Sequence, residues 1–180
     1  GDFLNGSLDE VKVYTTALTA TQVQTEYNLS TGLVASYPFT GNANDAISSN
    51  NGTINGATLT TDRFGNANSA YSFDGANDFI STANLATTNT DNWTMMAWMK
   101  PASLSQLGAI VSNGFDNGSS GNGYVMMMAD GGSGGGNVFT GLHSGVAFHN
   151  SGGVFSTNNI WYHVAMIREA GVVRYYINGV

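Results

Sequence analysis

Trp161-Tyr-His-Val-Ala-Met-Ile-Arg168 and Val172-Val-Arg-Tyr-Tyr-Ile177 are two apolar, β-branched and aromatic runs, separated by Glu169-Ala-Gly171. Runs of this kind either side of a short Gly-containing turn read as a β-hairpin. Asn178-Gly179 is the start signal of a further hairpin. Working outward, Trp93–Lys100 alternates, with Met96 and Trp98 on one face and Met95, Ala97 and Met99 on the other. It stops at Pro101, which has no N–H to give a ladder. The alternation of Trp98 and Trp161 predicts core positions for both. Ala109–Ser112, Tyr124–Ala129, Val138–His143 and Gly145–His149 read as further short strands, with Met126–Met128 filling a gap in the core.

Upstream, Leu33–Phe39 reads as a strand, 41–56 as a long Asn-rich loop, and Ala70–Phe73 and Phe79–Ser81 as strands flanking the turn Asp74-Gly-Ala-Asn-Asp78. Asp130–Gly136 is a Gly-rich loop. Ser7–Tyr14 reads as a strand carrying Leu8, Val11 and Val13. After it the period changes: Thr19 with Gln22 fits a capping box, and Ala20, Val23 and Tyr27 fall at helical spacing over about 20–27. The expected fold is all-β, a two-sheet antiparallel jelly-roll sandwich with one short helix.

Composition agrees and narrows the function. With 180 residues the chain suits one domain. The 11% aromatic content argues against disorder, and 24 Gly with 2 Pro suit many tight turns. A net charge of −7 with only 5 Lys+Arg provides no basic stripe for phosphates, which excludes a nucleic-acid partner and argues against an anionic membrane surface. There is no cysteine, hence no disulfide or thiolate metal site. No apolar run approaches the ~20 residues of a membrane span, so membrane insertion is not expected. A start at Gly1 rather than Met, and a stop at Val180 within a strand-like run, read as a piece of a longer polypeptide.

Four segments resemble the bacterial laminin G-like family of jelly rolls, related to concanavalin A-like lectins. Leu33-Val-Ala-Ser-Tyr-Pro-Phe39, with Gly41-Asn-Ala-Asn-Asp45 and Asn51-Gly-Thr53, is similar to the family's opening strand and loop. Ala70-Tyr-Ser-Phe-Asp-Gly-Ala-Asn-Asp-Phe-Ile80 resembles its Phe-Asp-Gly-x-Asp-Asp-Tyr-Ile turn. Trp161-Tyr-His-Val-Ala165 and Tyr175-Tyr-Ile-Asn-Gly-Val180 resemble its Trp-His-His-Val-Ala and Tyr-Val-Asn-Gly pair. Asn5-Gly-Ser-Leu-Asp-Glu-Val-Lys-Val-Tyr14, with Ala17-Leu-Thr-Ala20, is similar to the closing strand and helix. The closing elements come first here. Residues 1–28 therefore read as the closing strand and helix of one unit, 29–32 as a junction, and 33–180 as a jelly roll lacking its C-terminal part. A window on tandem repeats and a circular permutant with a deletion both fit, the first making neighbouring repeats of the same chain its partners. In the resembled fold the opening and closing strands are neighbours, so residues 7–14 are expected to pair with Leu33–Phe39.

The resemblance implies a structural calcium near the junction of these strands, which points to Asp9 with Gly41, Asn44 and Asp45. The Asp74 and Asp78 carboxylates of the Asn/Gly-rich turn are a second candidate pair, since calcium takes six to eight oxygens. The same residues also make turns by bonding their own backbones. His143, His149 and His163 read as surface or packing residues rather than a zinc site, which needs further ligands. A retaining glycosidase needs two carboxyls about 5 Å apart, whereas here strands carry almost no acids and Asp9-Glu10 point to opposite faces. No nucleophile elbow or phosphate loop is present. The loops 113–122 and 130–137 are the expected ligand-binding end, with Phe115, Asp116, Asn117 and Asp130 as candidate contacts. The expected function is a non-catalytic carbohydrate-binding or adhesion module, calcium-stabilised, of a secreted or cell-surface bacterial protein. Its partner would be a polysaccharide, a glycoprotein glycan or a surface protein. A spacer or protein–protein interaction repeat, and an accessory domain of a polysaccharide-degrading enzyme, are the alternatives.

Overall fold

The structure, a computed structural model, describes residues 4–19, 22–23, 33–83, 92–105, 107–113, 124–129, 138–143 and 146–180. Its strands are β1 Asn5–Tyr14, β2 Leu33–Tyr37, β3 Thr53–Asn55, β4 Thr58–Thr60, β5 Ala70–Asp74, β6 Phe79–Ser81, β7 Trp93–Pro101, β8 Gly108–Asn113, β9 Tyr124–Ala129, β10 Val138–His143, β11 Val146–Val154, β12 Tyr162–Glu169 and β13 Val172–Ile177. They form a seven-stranded sheet in the order β13-β12-β7-β1-β5-β4, with β2 also on β1. A four-stranded sheet runs β11-β10-β9-β8, and β3 and β6 make a two-stranded one. Every pairing is antiparallel. The jelly-roll expectation holds, and so does the β12–β13 hairpin, whose Ala170 and Gly171 both take positive φ as a tight primed turn requires.

β1 is the centre of the large sheet. On one side it pairs with β7 along most of its length. On the other side its first half pairs with β5 and its second half with β2, through Val11↔Tyr37, Lys12↔Ser36 and Val13↔Ala35. The expected pairing of this early segment with the strand from Leu33 is therefore present. The spacing of its apolar residues explains an irregularity. Leu8, Val11 and Val13 all belong to the core, yet a regular strand would turn Leu8 and Val11 to opposite faces. Asp9 opposes Trp98 and Lys12 opposes Met96, so Glu10 and Val11 together span Ala97. That is a β-bulge, and it restores the inward facing of both Leu8 and Val11.

The two larger sheets close on each other through aromatic contacts. Trp93 stacks on Tyr124 with centroids 4.4 Å apart, and Phe139 meets Tyr175 edge-on at 5.5 Å. The Tyr175 hydroxyl donates to the Gly141 carbonyl at 3.3 Å. Each large side chain buried here, Met95, Met99 and Met166 among them, contributes on the order of 1.5–3 kcal/mol. Met126 and Met128 face this core, but Met127 points the other way, beside Val125 and Ala109.

Several expectations are corrected. Trp98 and Trp161 are only partly buried; Trp93, which takes the inward phase of β7, is the core tryptophan. Trp98 shares its face with Met96, and that face points away from the sandwich. β5 and β6 flank the Asp74–Asp78 turn as expected, but they do not pair across it, because β5 joins β1 and β4 while β6 joins β3. The three-residue strand β3 lies within the expected loop 41–56, and β4 follows it at Thr58–Thr60, where no strand was expected. The capping box forms: Thr19 N donates to Gln22 Oε1 at 2.8 Å, and Gln22 N donates to Thr19 Oγ1 at 3.2 Å. Val23 N reaches Thr19 O at 2.9 Å. Most of the expected helix over 20–27 lies outside the described residues.

The segment after β1 covers half of the large sheet's outer face. Thr94 Oγ1 donates to Thr16 O and accepts from Leu18 N, both at 3.1 Å. This anchors Ala17, Leu18 and Val23 over Tyr14, Met96, Ala165 and Ile167. The other half of that face carries Trp98. No helix among the described residues is long and apolar enough to cross a membrane.

A candidate binding platform on the outer sheet face

Three adjacent strands put Asp9, Trp98 and His163 in one row, with Asp9↔Trp98 and Trp98↔His163 as cross-strand partners. The next outward row holds Ser7↔Lys100, with Trp161 entering just before the Tyr162↔Met99 pair. The Trp98 and His163 rings lie 5.2 Å apart, and Lys100 Nζ sits 5.3 Å from the Trp161 ring centre. His163 is fixed from the far side, its N–H donating to Asn178 Oδ1 at 3.0 Å while Asn178 N donates to His163 O at 2.8 Å.

The loop between β4 and β5 closes over this row, and Asp62 builds it. Asp62 Oδ1 accepts from Phe64 N at 2.9 Å and Asn66 N at 2.8 Å, and Oδ2 accepts from Asn66 Nδ2 at 2.9 Å. Gly65, at φ 90°, lets the chain turn back. Burial is the largest single influence on the Asp62 carboxyl and pulls it up. The hydrogen bonds from Asn66 and Phe64 and the charge of Arg63 outweigh it and hold the group below its usual range. The fixed loop sends Arg63 inward to Asp9, at 2.5 Å, with their side chains only 9% and 4% exposed. The guanidinium lies 4.2 Å from the Phe64 ring centre and 4.8 Å from that of Trp98. Phe64 is thus the outermost ring of a Phe64–Arg63–Trp98 stack and is 67% exposed. Cation–π contacts of this kind are worth roughly 0.5–2 kcal/mol each, depending on desolvation.

The candidate metal residues lie in built turns. Asp9 is the partner of Arg63, and a cation beside it would sit against a guanidinium. Asp45 Oδ1 accepts from Ser36 N at 2.9 Å and Ile47 N at 3.0 Å, and Oδ2 from Ser48 Oγ at 2.5 Å. Burial raises the Asp45 carboxyl, but these bonds overcome it and hold the group low. Gly41 and Asn44 are exposed beside it, Gly41 N bonding Asn68 O and Asn44 N bonding Asn42 Oδ1. Asp74 Oδ1 accepts from Ala76 N at 2.8 Å and Asn77 N at 3.2 Å, which lowers its pKa, while Asp78 Oδ2 accepts from Asp74 N at 3.0 Å. Among the described residues no three of Asp, Glu and His gather as a metal-holding group. A calcium ion at Asp9 would have to share the carboxylate with Arg63, and one at either turn would need backbone, amide and water oxygens beside the carboxylates to reach six to eight.

Phe115, Asp116, Asn117 and Asp130 lie outside the described residues. His143 and His149 lie in β10 and β11 but are not opposite each other, since Gly141 pairs with His149 and His143 with Val146. Sequence reasoning missed Arg63 and Phe64 altogether. The available signal was Asp62-Arg-Phe-Gly-Asn66, an Asp/Asn/Gly loop holding one of few cations beside an aromatic ring.

A family model described as concanavalin A-like lectin/glucanases superfamily, laminin G type, matches residues 74–180, more than half of the chain. It runs from the Asp74 turn through β6 to β13, and β1 to β4 precede it. Neither the curated proteins nor the solved structures give a match. On the family match, borne out by the jelly-roll sandwich, the chain belongs to the concanavalin A-like lectin/glucanase superfamily.

Proposed function

We propose that this chain is a non-catalytic carbohydrate-binding or adhesion module of an extracellular or cell-surface protein. The observation that carries the reading is the outer-face platform, where Phe64, Trp98 and Trp161 stand beside Lys100 and His163 on a rigid sheet. Aromatic rings with a few oriented polar groups on a preformed surface are what a sugar-binding site requires. Three of the carboxyl groups are unsuited to acid catalysis. A glycosidase general acid needs a raised pKa, whereas Asp45, Asp62 and Asp74 are all held low.

The test is binding to a panel of polysaccharides and glycoprotein glycans, with calcium and again with EDTA. Saturable binding is expected, without hydrolysis of the bound glycan. Binding and melting temperature are both expected to be indifferent to EDTA, because Arg63 supplies the positive charge next to Asp9. A folded chain that binds no glycan refutes the reading in favour of a spacer or protein-interaction repeat. A Tm that falls in EDTA restores a structural calcium.

A further inference from the structure

We infer that the ligand is a neutral hexopyranose or pentopyranose polysaccharide lying across β1, β7 and β12 from Phe64 to Trp161; this rests on the carbohydrate-binding reading above. Phe64 and Trp161 are the stacking rings, Lys100 and His163 face the sugar hydroxyls, and Arg63 and Trp98 are positioning residues beneath Phe64.

The geometry separates these roles. The guanidinium backs one face of Phe64 at 4.2 Å. With the side chain two-thirds exposed, the opposite face is the one open to solvent. A lone exposed phenylalanine needs no explanation. This one is held by the three Asp62 carboxylate bonds and by a buried ion pair reaching the centre of the sheet. Such prior fixing lowers the ordering cost of binding. Trp98 lies between Arg63 and His163, so it supports the ring rather than meeting ligand. Trp161 opens a second contact one row away, with the Lys100 ammonium next to its ring. A pyranose has an apolar C–H face for each ring and hydroxyls for the groups between them.

Charge selects the neutral class. The chain carries a net −7, and Asp9 neutralises the platform's guanidinium. Asp62, at the foot of the Phe64 loop, stays ionised to below the usual range. At the platform itself Arg63 and Lys100 are matched in number by Asp9 and Asp62, so a uronate or sulfated polymer would find no excess of positive charge to pair with.

The experiment uses the whole chain with cello-, xylo- and manno-hexaose as neutral probes and polygalacturonate and a sulfated glycan as anionic ones. Phe64→Ala, Trp161→Ala and the control Val172→Ala, an exposed residue at the turn end of the β12–β13 hairpin, are compared by calorimetry, with melting curves confirming the fold. Phe64→Ala, altering an exposed side chain, is the variant that folds most safely. We expect a neutral probe to bind, each platform variant to weaken it about 10-fold, and Val172→Ala to leave it unchanged. Affinity should barely change between about 0.05 and about 0.5 M salt. Platform variants that bind as tightly as the wild type overturn the site while the module reading stands. Tighter, salt-weakened binding of an anionic probe overturns the ligand class. A folded wild type that binds no probe overturns both.

Discussion

Arg63 and Asp9 form a buried ion pair across 54 positions of sequence, joining an exposed loop to the bulge at the middle of the central strand. The bulge lies where the neighbour of β1 changes from β5 to β2. The carboxylate therefore sits at an interruption of the ladder, and the guanidinium covers it. The pair holds the platform and the sheet centre in one structure.

Arg63→Met removes one partner and leaves the Asp9 carboxylate buried. Breaking such a pair typically costs 3–5 kcal/mol, roughly, whereas replacing both partners is far milder. Arg63→Met should lower the urea midpoint strongly, and adding Asp9→Asn should recover much of the loss. A single variant as stable as the wild type would show that the pair is not closed in solution.

Gly141 of β10 lies against the Met166 side chain of β12 in the facing sheet. A Cβ there would come within 2.6 Å of Met166 Sδ and Cε and 2.9 Å of the Val125 carbonyl. Gly141→Ala should cost about 1–3 kcal/mol through overpacking. Met166→Ala in the same chain relieves only the side-chain part, so the double variant should be more stable than additivity predicts. Strict additivity in chemical denaturation would place Met166 away from Gly141.

Asp45 gives the acid limb a defined contributor. Its folded pKa lies below the ordinary 3.8, so its contribution is present above the unfolded value and is lost as pH falls through the folded one. Asp45→Asn should flatten the decline in stability below pH 4, roughly, and lower stability at neutral pH by about 1–3 kcal/mol, because the Ser48 hydroxyl loses its acceptor at Oδ2 and the bonds from Ser36 N and Ile47 N lose their charged partner. An unchanged acid limb would assign the decline to other carboxylates.

Tyr175 has the opposite sign. Burial pushes its phenol up to about 12, against the opposing bond to the Gly141 carbonyl. The neutral form is favoured in the fold, so stability is fully present below the ordinary 10.0 and is lost as pH rises toward the folded value. Ultraviolet titration should show a tyrosine ionising at about pH 12, and Tyr175→Phe should delete it. That variant should cost no more than about 0.5–1.5 kcal/mol at neutral pH.

Legibility followed physics. Long alternating strands were readable because one face is buried: β7, β9, β10, β12 and β13 were found with bounds within a residue or two. β3 and β4 were not, since three residues show no period. The facing of Trp98 was misjudged because alternation gives two faces and does not say which is inward; Trp93 and Met95 decide it only once Tyr124 and Met166 are opposite. The turns built by Asp45 and Asp74 were legible as turns, and the structure uses those carboxylates as backbone acceptors. The Arg63–Asp9 pair was illegible because nothing local joins the two residues. Only the antiparallel order of β4, β5 and β1 brings them together.

The central place of β1 gives a last test. Leu4, Leu8, Val11, Val13 and Tyr14 are all buried, and each contributes on the order of 2 kcal/mol. Together they match the whole stability of an ordinary domain, about 5–15 kcal/mol. A chain lacking residues 1–15 also strips β7 of one of its two neighbours and leaves β5 and β2 without the strand they share, baring sheet edges that invite association. It should fail to show native near-ultraviolet circular dichroism and should associate. A synthetic peptide of residues 4–15 should enter between β7 and β2, restore the native spectrum and suppress association, since β1 is held by pairing and burial. A shortened chain that folds cooperatively and ignores the peptide would mean that β7 and β5 close the sheet without β1.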